Sequence, residues 1–298
     1  MKFLKTAALA CLTAFSMAAF AESKCEISYA TSKELTKTIK EKKIVFPDGS
    51  TNSFEDVCQS LKKHNATVLM TELHGTNEGR TFSAVNVEIV DKDLHKQGVV
   101  LSGILGSLAI SAGDENTPYF TAMKALSSLN EYVIADLENS RQKLKRFDPK
   151  KAELTFKRPK DCNDLRFTVP STKLLGGIQN GGLNVDKPDL ICDVFYKNHI
   201  ATKVSDLIYR EMPKVYANVF IRSALLEYHD QGIPVYADAA NSQLLEVDMR
   251  LNSEMTLEDV EAAMLIKLLN DNLNKMELDT HIKEVQKARQ YLSKHFYK

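Results

Sequence analysis

The chain carries no excess of charge: its 39 basic and 39 acidic residues cancel to a formal net charge of zero. That balance offers no electrostatic attraction to nucleic acid or to an anionic membrane, so neither is expected as a partner. After residue 21 no apolar run approaches the roughly 20 residues that a membrane-spanning helix needs, so no span is expected. Several chemistry-bearing patterns are also missing. The glycines of Leu174–Gly182 lack the Gly-x-x-x-x-Gly-Lys-Ser/Thr order of a phosphate loop, so a flexible loop or hairpin is expected there. No Gly-x-Ser-x-Gly elbow presents a serine nucleophile. Asp189, Asp193 and Asp206 do not have calcium-loop spacing. None of the cysteines forms a Cys-x-x-Cys pair, which excludes redox and zinc motifs built on that spacing.

What is present begins with an export signal. Lys2 and Lys5 precede an uncharged run from Thr6 to Phe20, and Ala19-Phe20-Ala21 has the small-x-small pattern read by a signal peptidase. The mature protein is expected to begin at Glu22 and to work in the periplasm or outside the cell. Cys11 leaves with the signal. Cys25, Cys58, Cys162 and Cys192 remain, an even set that in an exported chain points to disulfides. Three pairings are open. The local one, Cys25–Cys58 with Cys162–Cys192, closes loops of roughly 30 residues, each contributing about 3 kcal/mol.

The expected fold is α/β or α+β: a mixed sheet with flanking helices and a mainly helical C-terminal part, stapled by disulfides. The chain divides into the signal 1–21, an N-terminal α/β half 22–149, an irregular disulfide-bearing connection 150–192, and a mainly helical half 193–298. These halves could form one domain. Thr31-Ser32-Lys33-Glu34 is a capping box with Leu35 and Ile39 on one face, and a second helix spans Phe54–His64. Ala66–Thr71 reads as a buried strand, and Thr81–Ile110 is strand-rich. Pro118 sits in the first turn of one long helix that ends before Asp148-Pro149, with a break near Asn139-Ser140. Further helices are expected at Asn198–Tyr209, Pro213–His229, Leu257–Asn274 and Thr280–Phe296, with a strand at Ile233–Ala237. The order helix, stop, strand, acid occurs at Asn65–Glu72 and at Gly232–Asp238, which is the grammar of a parallel sheet. No repeat beyond that shared order is expected.

The candidate chemistry lies in Thr71-Glu72-Leu73-His74-Gly75-Thr76-Asn77-Glu78. If the strand persists to His74, Glu72 and His74 share one face, because strand side chains alternate. A carboxylate beside a histidine fixes its tautomer and raises its basicity. Gly75 would then allow a tight turn that returns Glu78 toward the same cleft. Glu72, His74 and Glu78 form a candidate divalent-metal set, and Glu72, His74 and Asp238 a candidate catalytic set. The segment resembles the erythromycin-esterase, TraB and ChaN-like superfamily, whose core opens with a buried strand running into a Gly-Glu-x-His-Gly motif; Thr71 stands where Gly is usual. The resemblance implies an α/β fold with Glu72 and His74 at the carboxyl edge of the sheet. It also implies a later strand ending in an acid, matched here by Asp238. Activities in that group include hydrolysis, proposed metal-dependent proteolysis and haem binding. Two function classes fit: an exported hydrolase, metal-assisted or not, and a non-catalytic exported protein that binds a small molecule or another protein as a chaperone, inhibitor or effector.

Overall fold

The structure is a computed structural model that describes residues 25–103, 105–148, 167–168, 171–181, 183–251 and 254–296. The export signal, Cys162 and most of the expected 150–192 connection before Ser171 lie outside the described residues. Among the described residues, no helix is long and apolar enough to cross a membrane.

Strand β1 (Tyr29–Ala30) leads into α1 (Lys33–Lys42), whose N-cap Ser32 accepts a hydrogen bond from the Leu35 amide and whose buried face is Leu35 and Ile39. Helix α2 (Phe54–Lys63) is capped by Ser53 and buries Val57, Cys58 and Leu61. Cys58 is bonded to Cys25, with Cα atoms 6.0 Å apart, so of the three open pairings the local one is realised for these two cysteines. Strands β2 (Ala66–Asn77) and β3 (Arg80–Asp91) then make a long antiparallel hairpin. A one-turn helix α3 (Lys92–His95), strands β4 (Val99–Leu101) and β5 (Ser107–Gly113), and helices α4 (Thr117–Ser127) and α5 (Glu131–Arg146) complete the first half. The long helix expected after Pro118 breaks at Ser128–Asn130, where the Asn130 side chain caps α5, rather than at Asn139-Ser140.

The second half contains β6 (Phe167–Thr168), α6 (Thr172–Gly181), α7 (Pro188–Lys197), β7 (Ile200–Glu211), β8 (Lys214–Leu225), α8 (Leu226–His229), β9 (Val235–Asp248), α9 (Leu257–Asn274) and α10 (Leu278–Phe296). The last two helices match expectation, and Thr256 caps α9. The helices expected at Asn198–Tyr209 and Pro213–His229 are instead the hairpin β7/β8. The run Leu174–Gly181 lies in α6, not in a loop. Cys192 is also disulfide-bonded; the expected Cys162 partner lies outside the described residues.

Two sheets result, ordered β1-β2-β3-β5 and β4-β9-β8-β7-β6. The mixed α/β class is as expected, but β2 and β9 do not share a parallel sheet. Their long partners run antiparallel, and parallel pairing is confined to the two-residue strands β1 and β6. Helices cover the outer faces: Val85, Val87 and Ile89 of β3 and Val215, Val219 and Ile221 of β8 lie in the main core beneath them. The alternate residues turn toward the other half. Ala84 clusters with Tyr216, and Val90 with Ala224 and Tyr236.

The two halves repeat one another. Helices α2 and α7, strands β2 and β7, strands β3 and β8, and helices α3 and α8 are each 134 positions apart at both ends. The left-handed residues Asn65 and His199 match, as do Gly98 and Gly232. Strand registers match too: Ala66 pairs with Asp91 as Ile200 does with Leu225, and Val87 with Ser107 as Ile221 does with Asn241. The expectation of no repeat was therefore wrong. Its sequence trace is short: Cys58 and Cys192 correspond, and His-x-Gln-Gly recurs at 95–98 and 229–232.

Candidate functional site

Strand β2 continues through His74 to Asn77, so Glu72 and His74 do share a face. Their side chains meet, with His74 Nδ1 2.7 Å from Glu72 Oε1. The carboxylate is almost fully covered, while the imidazole is about half exposed, at 49 %. Across the ladder, Glu72 stands beside Val85 and His74 beside Ser83. Ser83 is fully buried, and its Oγ has no hydrogen-bond partner among the described residues. Ser83 is the polar neighbour that the motif did not indicate; only cross-strand register could have revealed it.

The remaining predicted members are engaged elsewhere. Gly75 makes no turn. A Cβ there would lie 2.7 Å from the Phe82 ring, so the glycine serves the close passage of that ring across the strand pair. The turn comes later, at Glu78-Gly79, where both residues have positive φ. Glu78 points to the second half, 3.1 Å from Lys214 Nζ. Lys214 also holds Glu246 at 2.9 Å. Asp238 lies on β9, 3.8 Å from His95 Nε2 and 3.6 Å from Arg222. The structure thus joins Glu72 to His74, and gives Glu78 and Asp238 other partners. Among the described residues, no group of three or more His, Cys, Asp or Glu side chains is placed to hold a metal ion. The set Glu72, His74 and Glu78 does not fit a divalent cation.

The counterpart of Glu72 in the second half is Asp206 on β7. Burial raises the Asp206 carboxyl above its ordinary value, against hydrogen bonds it accepts from the Ser171 hydroxyl and amide. Ser171 is the residue whose hydroxyl accepts from the Leu174 amide at the start of α6. An acid therefore recurs at this strand position, but Asp206 serves a helix start where Glu72 holds His74. The histidine does not recur, because Ile208 occupies the position matching His74.

A buried charged cluster lies elsewhere, between the halves. Arg222 Nη2 lies 2.8 Å from Glu88 Oε2, and both side chains are 2 % exposed. Lys203 Nζ lies 3.0 Å from Glu88 Oε1 and sits over the Tyr236 ring at 5.1 Å. Burial by itself would raise the Glu88 carboxyl. Arg222 and Lys203 outweigh it and hold the group at about 2. A second buried polar pair joins Ser223 Oγ to His281 Nδ1 at 2.7 Å. Burial, reinforced by the nearby Arg222 charge, lowers His281 to about 4. The Ser223 side chain is covered by α10 and offers no access to a substrate.

A scan against protein-family models, a search of curated proteins and a search of solved structures each found no match to this chain.

Proposed function

We propose that this is an exported protein of the periplasm or extracellular space that acts without catalysis, by binding a small molecule or another protein. One observation carries this reading. The Glu72–His74 pair lies on a hairpin arm, where Glu78 and Asp238 do not join it and Lys214, His95 and Arg222 take them instead. A general base needs a substrate site within hydrogen-bond reach and a group that stabilises the developing charge. Neither role has a candidate among the neighbours of His74 described above. The Cys25–Cys58 disulfide supports an oxidising compartment.

A second reading is a hydrolase centred on Glu72 and His74, in keeping with the short resemblance at Thr71–Gly75. What favours it is the 2.7 Å contact and the unpartnered Ser83 hydroxyl opposite His74. What weighs against it is that Ser83 is fully buried. The two readings separate in a chromogenic ester, amide and phosphoester panel, run with and without added divalent metals, on the wild type and on H74A. The binding reading expects both proteins at background. Turnover by the wild type that disappears in H74A overturns it.

A further inference from the structure

We infer that the chain is a fused dimer: each half is an interaction module whose partner is the other half, and opposite charges at one matched position set the pairing. Three contacts between matched positions carry this. Leu101 pairs with Val235 across the β4–β9 ladder, and these residues are 134 apart, so each pairs with its own counterpart. The Phe82 and Tyr216 rings, also counterparts, meet with centroids 5.4 Å apart. Glu88 and Arg222 are counterparts and form the buried ion pair. Contact between equivalent positions is the signature of an isologous, two-fold interface. Around that axis the ladders agree as well: Val90 bridges Ser102 just as Ala224 pairs with Tyr236.

The symmetry is broken where it decides who can pair with whom. Two copies of the first half would bring Glu88 against Glu88, with Leu69 at the position of Lys203. Two copies of the second half would bring Arg222 against Arg222. Either arrangement buries like charges, which is a repulsive device against self-pairing. Only the mixed pair satisfies the cluster. Fusion delivers that mixed pair in one-to-one ratio. The hairpin tips also pair between the halves, Arg80 holding Glu211 at 2.8 Å and its counterpart Lys214 holding Glu78, but both counterparts are basic and each tip carries an acid, so discrimination rests on Glu88 and Arg222.

The test starts from the whole chain with a protease recognition sequence inserted between Asp148 and Pro149, purified intact and then cut. The Cys25–Cys58 bond lies wholly on one side of the cut. The expected result is that both fragments elute together under native conditions at the position of the uncut protein, and separate only in denaturant. Fragments that elute apart, or that precipitate once cut, overturn the inference. Charge exchange in the uncut chain is the second measurement. E88R and R222E should each lower the thermal midpoint or prevent folding, and L69K/E88R/K203L/R222E, which also moves the Lys203 cation to its matched position so that it meets the new acid, should recover more than half of that loss. A fourfold variant no better than the poorer single variant overturns the role given to this pair.

Discussion

Glu88 shows how a buried charge is tolerated. Its carboxylate is enclosed, yet both oxygens are met by cations, Lys203 on one and Arg222 on the other. Removing the acid leaves two covered cations facing each other, so E88A is expected to cost about 3–5 kcal/mol in urea unfolding at pH 7. The pH dependence follows from the depressed carboxyl. Its contribution is complete above the unfolded value of about 4.5 and fades as pH falls toward about 2. His281 acts in a higher window. Its folded value of about 4 lies below the ordinary 6.5, so the unfolded chain binds the extra proton first. Stability is unaffected above pH 6.5 and declines progressively down to pH 4, by about 3 kcal/mol at the lower limit. Urea midpoints measured at pH 7 and pH 5 should therefore fall less in H281Q than in the wild type. An equal fall in both proteins would remove His281 from the account.

At the scale of elements, each half anchors its last helix with an arginine clamp. Arg141 of α5 binds Asp91 at 2.7 Å and donates to the carbonyl of Asn65. Arg289 of α10 binds Glu227 at 2.6 Å and donates to the carbonyl of His199. Asn65 and His199 are the matched left-handed residues where a helix turns into a strand, so the two clamps hold the same corner. R141A and R289A should each lower stability by about 2–3 kcal/mol through lost charge-assisted hydrogen bonds. R289K should recover little, since one ammonium cannot reach carboxylate and carbonyls together; circular dichroism melts would show it. These elements also mark what the sequence disclosed. The cap at Thr256 and the start of strand β2 were legible because each rests on local chemistry, whereas the capping box put the first cap at Thr31, one residue before Ser32, and spacing left the cysteine pairing open. The hairpin β7/β8 was not. Ile200, Val204, Leu207 and Ile208 mimic a helical stripe, and β8 is buried on both faces, so Asn218 and Arg222 interrupt its apolar alternation. The overlooked signal was the β-branched content of Ile200–Ile208 and Val215–Ile221. For the candidate site, the Glu72–His74 contact was legible from strand alternation. The partners of Glu78 and Asp238 were not, because both lie in parts of the fold set by pairing between the halves.

At the scale of the molecule, duplication explains why the repeat was hidden. Glu88 and Arg222, which meet on the axis, are opposite in charge, and Leu69 matches Lys203, whereas Leu101 with Val235 and Phe82 with Tyr216 keep their apolar or aromatic character, so likeness survives only at scattered positions. The shared inner face also implies shared stability: the halves should unfold together, because each supplies the cover for the other's inner strand. The direct measurement is hydrogen exchange on C25S/C58S, which loosens only the first half and should remove about 3–4 kcal/mol. Protection of β8, in the second half, is expected to fall by the same free energy as protection of β3. Loss confined to β3, with β8 amides exchanging as in the wild type, would contradict the shared stability of the halves.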